Sequence, residues 1–214
     1  MTADAGTRAL PETPPARRGL SLRFSARDLL RVALFAVVFI VVTYAIGMLG
    51  ILSPLVWLII VLVQAIVGGV TVMLFLTRVK HAGMLTLFGI VVALFYLLSG
   101  NTLLSTAGIV VLALIAELIL WAGRYRSKWA TIWAYTVFGL SFFTPFLPLL
   151  IDREAYLASS SWTQMGEDYV RASDTLLSAP VIGGLAGAIL VASFIGGLLG
   201  SAILRKHFVR AGLA

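Results

Sequence analysis

VALFAVVFIVVTYAIGMLGILSPLVWLIIVLVQAIVGGVTVMLFLT, residues 32–77, runs for 46 residues without one Asp, Glu, Lys or Arg. A helix crosses the roughly 30 Å apolar core of a bilayer with about 20 residues. The run is therefore twice what one crossing needs, and it has to fold back. Ser53-Pro54 supplies the break, because proline has no backbone N–H and clashes with the preceding helical turn.

Working outward, three more uncharged runs follow: 81–116, 129–151 and 175–204. The first of these breaks at Ser99-Gly100-Asn101. The expected spans are about 29–50, 54–76, 82–99, 102–122, 129–151 and 179–204. The fold class is thus all-α, a polytopic membrane protein with six transmembrane helices. Composition agrees: 60% of the 214 residues are hydrophobic, 12% are charged, and the mean hydropathy is +1.03, far from the usual quarter of charged residues in a soluble domain. Residues 1–28 hold Pro11, Pro14, Pro15 and Arg8, Arg17, Arg18 and Arg23, and are expected to form a disordered basic cytoplasmic tail. Residues 29–214 form the membrane domain. The first apolar segment is longer than the h-region of a cleavable signal peptide.

The charges fix an expected orientation. Arg8, Arg17, Arg18, Arg23, Arg27, Arg31, Arg78, Lys80, Arg124, Arg126, Lys128, Arg205, Lys206 and Arg210 all fall on one side, which is 14 of the 16 basic residues. By the positive-inside rule both termini are cytoplasmic. On the opposite side, only the fifth loop is charged, with Arg153 and Arg171 outnumbered by Asp152, Glu154, Glu167, Asp168 and Asp174. Trp57, Trp121, Tyr125 and Trp129 sit near span ends, where an aromatic belt would place them.

Several residues are candidates for more than spanning. Gly183 and Gly187, and again Gly196 and Gly200, are four apart and share a helix face, so they can admit a second helix at close range. Ala65 and Gly69, and Ala33 and Ala36, are weaker instances. Glu117 is the one acid well inside a span. An intramembrane carboxylate is costly, and three roles stay open for it: pairing with a nearby basic residue or interfacial water, a polar coupling network, or a proton relay.

The outer ends collect aromatic and polar groups suited to a small-molecule pocket. These are Tyr44 and Met48, then Trp57, then Tyr96 and Asn101, then Phe142, Phe143 and Thr144, with Asp152 and Arg153 at the mouth of the fifth loop. The best candidates for substrate or gate are Tyr44, Trp57, Tyr96, Asn101, Asp152 and Arg153. In the fifth loop, Tyr156, Trp162 and Tyr169 suit either a surface-lying lid or a solvated linker.

Enzyme chemistry finds little support. The chain has no cysteine, and His81 and His207 lack metal-ligand spacing, so no metal site is expected. No GxxxxGK[ST] loop is present, so no ATP cofactor is expected in this chain. Topology accounts for the basic surplus, which removes the argument for nucleic acid.

Five stretches carry a family resemblance: RDLLRVALFAVVFIVVTYAIGMLG (27–50), LFLTRVKHAGMLTLFGIV (74–91), AELILWAGRYRSKWATIWAYTVFGL (116–140), PFLPLLIDREAYLA (145–158) and GGLLGSAILRKHFVRAGLA (196–214). Together they resemble the MptD-like, or Trep_Strep, family of substrate-binding S components of energy-coupling factor (ECF) type ABC transporters. The resemblance implies a six-helix, N-in/C-in S component in the cell membrane of a prokaryote. Such a subunit captures a vitamin-like or other micronutrient on its outer side and delivers it inward with a transmembrane coupling subunit and two cytoplasmic ATPases, which use the ATP. The family's span-one coupling pattern is an alanine, three residues and a second alanine; here Ala33 and Ala36 are three apart and Val37 stands in the second position. Two alternatives remain: a stand-alone ion-coupled secondary transporter, and a non-transport membrane enzyme or assembly factor.

Overall fold

The computed structural model of the chain describes residues 25–78 and 81–210, with side chains as far as Lys206. The arginines of residues 1–24, Lys80 and the side chains of His207 and Arg210 lie outside what is described. Among the described residues every regular element is helical.

Helix α1 (Ala26–Gly47) begins three residues ahead of the expected boundary. The reason is a capping box. The Ser25 hydroxyl accepts the Asp28 N–H at 3.2 Å, and the Asp28 carboxylate accepts the Ser25 N–H at 3.3 Å, which satisfies two orphan donors at once. A 3-10 turn, Met48–Leu52, carries the chain to α2 (Pro54–Arg78), whose proline opens the helix where an N–H would be unpaired anyway. Helix α3 (Met84–Leu98) and helix α4 (Leu103–Ala122) form the next antiparallel pair. Helix α5 (Lys128–Gly139) runs on into a 3-10 stretch, Leu140–Phe146, and a last short helix α6 (Leu147–Ile151). The expected single span over 129–151 therefore changes pitch near Pro145, where no backbone N–H is available. Three short helices follow: α7 (Arg153–Leu157), α8 (Ser160–Thr163) and α9 (Glu167–Leu176). Helix α10 (Ala179–Arg210), at 32 residues, is the longest element.

Five helical stretches are long and apolar enough to cross a membrane. The third expected span is the exception: α3 has 15 residues, about 22 Å at 1.5 Å per residue. Its shortness follows from Gly83, which has φ +89 and breaks the helix ahead of Met84.

The helices bury one face and present apolar residues on the other. On α1, Val32, Ala36, Phe39 and Thr43 are buried at helical spacing, while Leu30, Leu34, Val37 and Val41 are exposed. An apolar outer surface on this scale has no place in water, and in lipid it is the expected one. The centre is aromatic: Phe88 lies 4.9 Å from Phe75, 5.3 Å from Phe39 and 5.8 Å from Phe138 between ring centroids. The Tyr135 hydroxyl donates to the Ala65 carbonyl of α2 at 2.5 Å.

The small residues divide. Helices α2 and α10 meet backbone to backbone: a Cβ at Gly196 would stand 2.6 Å from the Ile66 carbonyl oxygen, and one at Gly200 2.9 Å from that of Gly69. The other two glycines expected to pack, Gly183 and Gly187, have open space where a Cβ would go. They lie at the opposite end of α10 from the crossing, so periodicity alone grouped residues that do different work. Similarly, Ala36 is fully buried and Ala33 is exposed, so the two do not share a packing face. Three steps of about 100° leave them about 60° apart around the helix, and the edge of the buried stripe falls between them.

Candidate ligand-binding site

At the end of the bundle remote from Arg31 and Arg78 lies a cavity of about 260 Å³. Each wall comes from a place where a helix stops. The end of α1 contributes Tyr44, Gly47 and Met48, and the start of α2 contributes Trp57, Val61 and Gln64. Between them, Ser53 is extended and its hydroxyl accepts the Val56 N–H at 3.2 Å, which sets the reversal. The α3 to α4 turn adds Phe95, Tyr96 and Asn101, pivoting on Gly100 at φ +89. Phe142 and Pro145 close the floor from the 3-10 stretch.

The segment of α7 to α9 lies over this cavity as a roof. Trp162 is almost fully buried beneath it and meets Trp57 edge-on at 5.8 Å. Two phenols fasten the roof to the bundle: Tyr156 donates to the Pro145 carbonyl at 3.1 Å, and Tyr169 donates to that of Gly50 at 3.0 Å. Burial raises both tyrosines, Tyr169 to about 12, so both stay protonated donors.

Of the six residues expected at the substrate or gate, Tyr44, Trp57, Tyr96 and Asn101 line the cavity. Asp152 and Arg153 do not. The Asp152 carboxylate caps α7, accepting the Ala155 N–H at 3.1 Å. Arg153 ties the first roof helix to the last: its Nε donates to the Asp174 carboxylate at 2.5 Å, its Nη1 to the Leu177 carbonyl at 2.6 Å, and its Nη2 to the Asp174 carbonyl. Both are thereby structural parts of the roof, their polar atoms turned to the chain itself.

Sequence reasoning passed over Gln64. Its Nε2 donates to the Thr43 carbonyl at 2.6 Å. A carbonyl can only accept, so the amide nitrogen is the end that faces it, and the side chain keeps Oε1 and a second N–H at the cavity wall. The signal was present: Gln64 is the sole carboxamide of α2, in the midst of an apolar run. Gly47 makes room for it, since a Cβ there would stand 2.6 Å from Nε2.

Glu117 lies at the other end of the molecule and does not touch the cavity. Its carboxylate accepts the backbone N–H groups of Gly83 at 2.9 Å, Leu85 at 2.8 Å and Thr86 at 3.0 Å. The Tyr125 hydroxyl donates to it at 2.5 Å. A carboxylate from α4 thus caps α3, where orphan donors and the positive helix end favour an anion. Among the described residues its partners are backbone amides, a phenol and, at 3.5 Å, the Thr86 hydroxyl, with no basic side chain.

No curated protein and no solved structure matches the chain. A family model described as a hypothetical bacterial integral membrane protein (Trep_Strep) matches residues 26–210, from the first turn of α1 to the last residue of α10. With its five long apolar helices and a sixth, shorter one, the chain belongs to this family of bacterial integral membrane proteins.

Proposed function

We propose that this protein is the substrate-binding membrane subunit of an ECF-type importer, capturing a small molecule outside the cell and releasing it inward. In this reading all six apolar helices cross the bilayer, both termini are cytoplasmic, and the cavity opens outward. The observation that carries it is the position of the cavity: an aromatic chamber at the end of the bundle opposite Arg31, Arg78, Arg124 and Arg126, under a fastened roof. The positive-inside rule supports an outward-facing chamber in this reading. Lacking a phosphate-cradling motif, the chain draws on a coupling subunit and two ATPases for energy. Release of the roof and rearrangement of the bundle form the transport step, a shift between two states with different ligand affinity.

Isolation of the tagged full-length chain from its native membranes tests this. Recovery of a membrane coupling protein with two ATPases, and uptake that requires ATP, is the expected result. Uptake by the chain alone in vesicles, driven by an ion gradient, would replace the reading with a stand-alone carrier. The absence of cysteine makes the orientation accessible too: single cysteines placed at Ser127 and Gln164 should label from opposite sides.

A further inference from the structure

The cavity specifies more than a location. None of its lining residues carries a formal charge, and eight are aromatic. The rings form two sets. On one side Tyr44 meets Phe95 at 5.1 Å and Phe95 meets Tyr96 at 6.2 Å; on the other Trp57 meets Trp162, which meets Tyr156 at 5.7 Å and Tyr169 at 6.1 Å. Among the described residues no ring pair joins the two sets, yet both face the same space. Aromatic faces in such an arrangement receive a third ring between them. The cavity, at about 260 Å³, lies near the lower end of the roughly 300–1,000 Å³ range of small-molecule pockets, which suits a ligand of one ring or two fused rings.

The polar side chains are carboxamides and hydroxyls. With one of its two Nε2 hydrogens engaged by Thr43, Gln64 keeps Oε1 and a second N–H. Asn101 likewise spends one Nδ2 hydrogen on the Tyr96 carbonyl, at 3.2 Å, and keeps Oδ1 and the other. The hydroxyls of Tyr44 and Tyr96 take no hydrogen bond among the described residues. An ion entering here would lose its hydration without meeting an opposite charge. The nearest arginine of the roof, Arg153, is already held by Asp174 and Leu177.

We infer that the ligand is an uncharged, flat, ring-containing molecule with an amide-like edge, an N–H beside a C=O, held between the two aromatic sets and read by the carboxamide of Gln64. This rests on the importer reading for its biological sense, though not for its chemistry. A quaternary ammonium would suit aromatic faces as well, but it offers no N–H to Gln64 or Asn101.

The test uses the purified full-length chain in nanodiscs and probes of one shape and three charges: nicotinamide (neutral), nicotinate (anion) and 1-methylnicotinamide (cation), with uracil and orotate as a second neutral and anionic pair. Thermal unfolding and tryptophan emission are the readouts. The neutral member of at least one set should bind, at least about tenfold more tightly than its charged counterparts. Gln64→Leu should weaken that binding about tenfold, and Tyr96→Phe, which keeps the wall intact, should weaken it less. Should Gln64→Leu unfold the chain, Asn101→Asp serves instead: a carboxylate in the wall should abolish the preference for the neutral probe over the cation. Equal or tighter binding of a charged member, or no response to either neutral ring, overturns the assignment. Co-isolation of ATPases is scored separately, so a chain that binds neutral rings without such partners keeps this assignment and loses the importer.

Discussion

The carboxylate of Glu117 on α4 receives the hydroxyl of Tyr125 at 2.5 Å while its two oxygens close the start of α3. Arg124 and Tyr125 both adopt left-handed φ values, 51 and 53, and this turn brings the phenol back beneath its own helix. Glu117→Gln replaces one acceptor oxygen by a donor facing backbone donors, so it should lower stability by about 1–3 kcal/mol. Tyr125→Phe should cost about 2 kcal/mol through loss of one hydrogen bond to a charged group. Thermal unfolding in nanodiscs measures both. A Glu117→Gln chain that melts normally but fails in transport would make Glu117 a coupling group instead of a cap.

Among the six glycines of α10, the four expected to pack separate under substitution. Gly196→Ala pushes a methyl into the Ile66 and Ala65 carbonyls, and such overpacking costs roughly 1–3 kcal/mol. Gly187→Ala meets open space and should be neutral or gain up to about 1 kcal/mol from helix propensity. Equal melting shifts for the two would contradict the α2 to α10 crossing.

Gly47→Ala should act at a distance from any ligand. Its methyl would displace the Gln64 amide from Thr43, re-aiming the carboxamide. The expected signature is weaker binding of nicotinamide or uracil with a melting temperature close to that of the parent. A large loss of stability with unchanged affinity would show that Gln64 serves packing alone.

The roof carries its own predictions. Arg153→Ala releases the tie between α7 and the end of α9, so amide exchange should quicken across 153–176 and leave α2 and α10 unaffected. Alkaline pH should loosen it as well. Tyr169 has its folded-state value raised from 10.0 to about 12 by burial, and Tyr156 is raised by burial as well. A raised acid contributes stability that is fully present below pH 10 and is lost as pH climbs through the folded value. Unfolding followed by tyrosinate absorbance should therefore set in above pH 10, and Tyr169→Phe should flatten that dependence. A roof equally ordered on both sides of that range would argue against the two tyrosine contacts.

What the sequence determined by itself is whatever local chemistry decides. Uncharged runs of known length dictate helices and membrane residence; Ser53-Pro54 and Ser99-Gly100-Asn101 dictate where the chain reverses. Because antiparallel helices bring alternate turns to one end, Tyr44, Trp57, Tyr96 and Asn101 could be grouped before any coordinates. The tertiary structure decided the rest, and for one reason. A helix apolar on every side has no amphipathic stripe to say which face turns inward, so spacing cannot tell Gly196 from Gly187 or Ala36 from Ala33. The same rotation governs the polar side chains: Glu117 meeting α3, Gln64 meeting Thr43 at the cavity wall, and Arg153 turning away from the cavity are outcomes of helix packing, and no residue near them in the sequence encodes those partners.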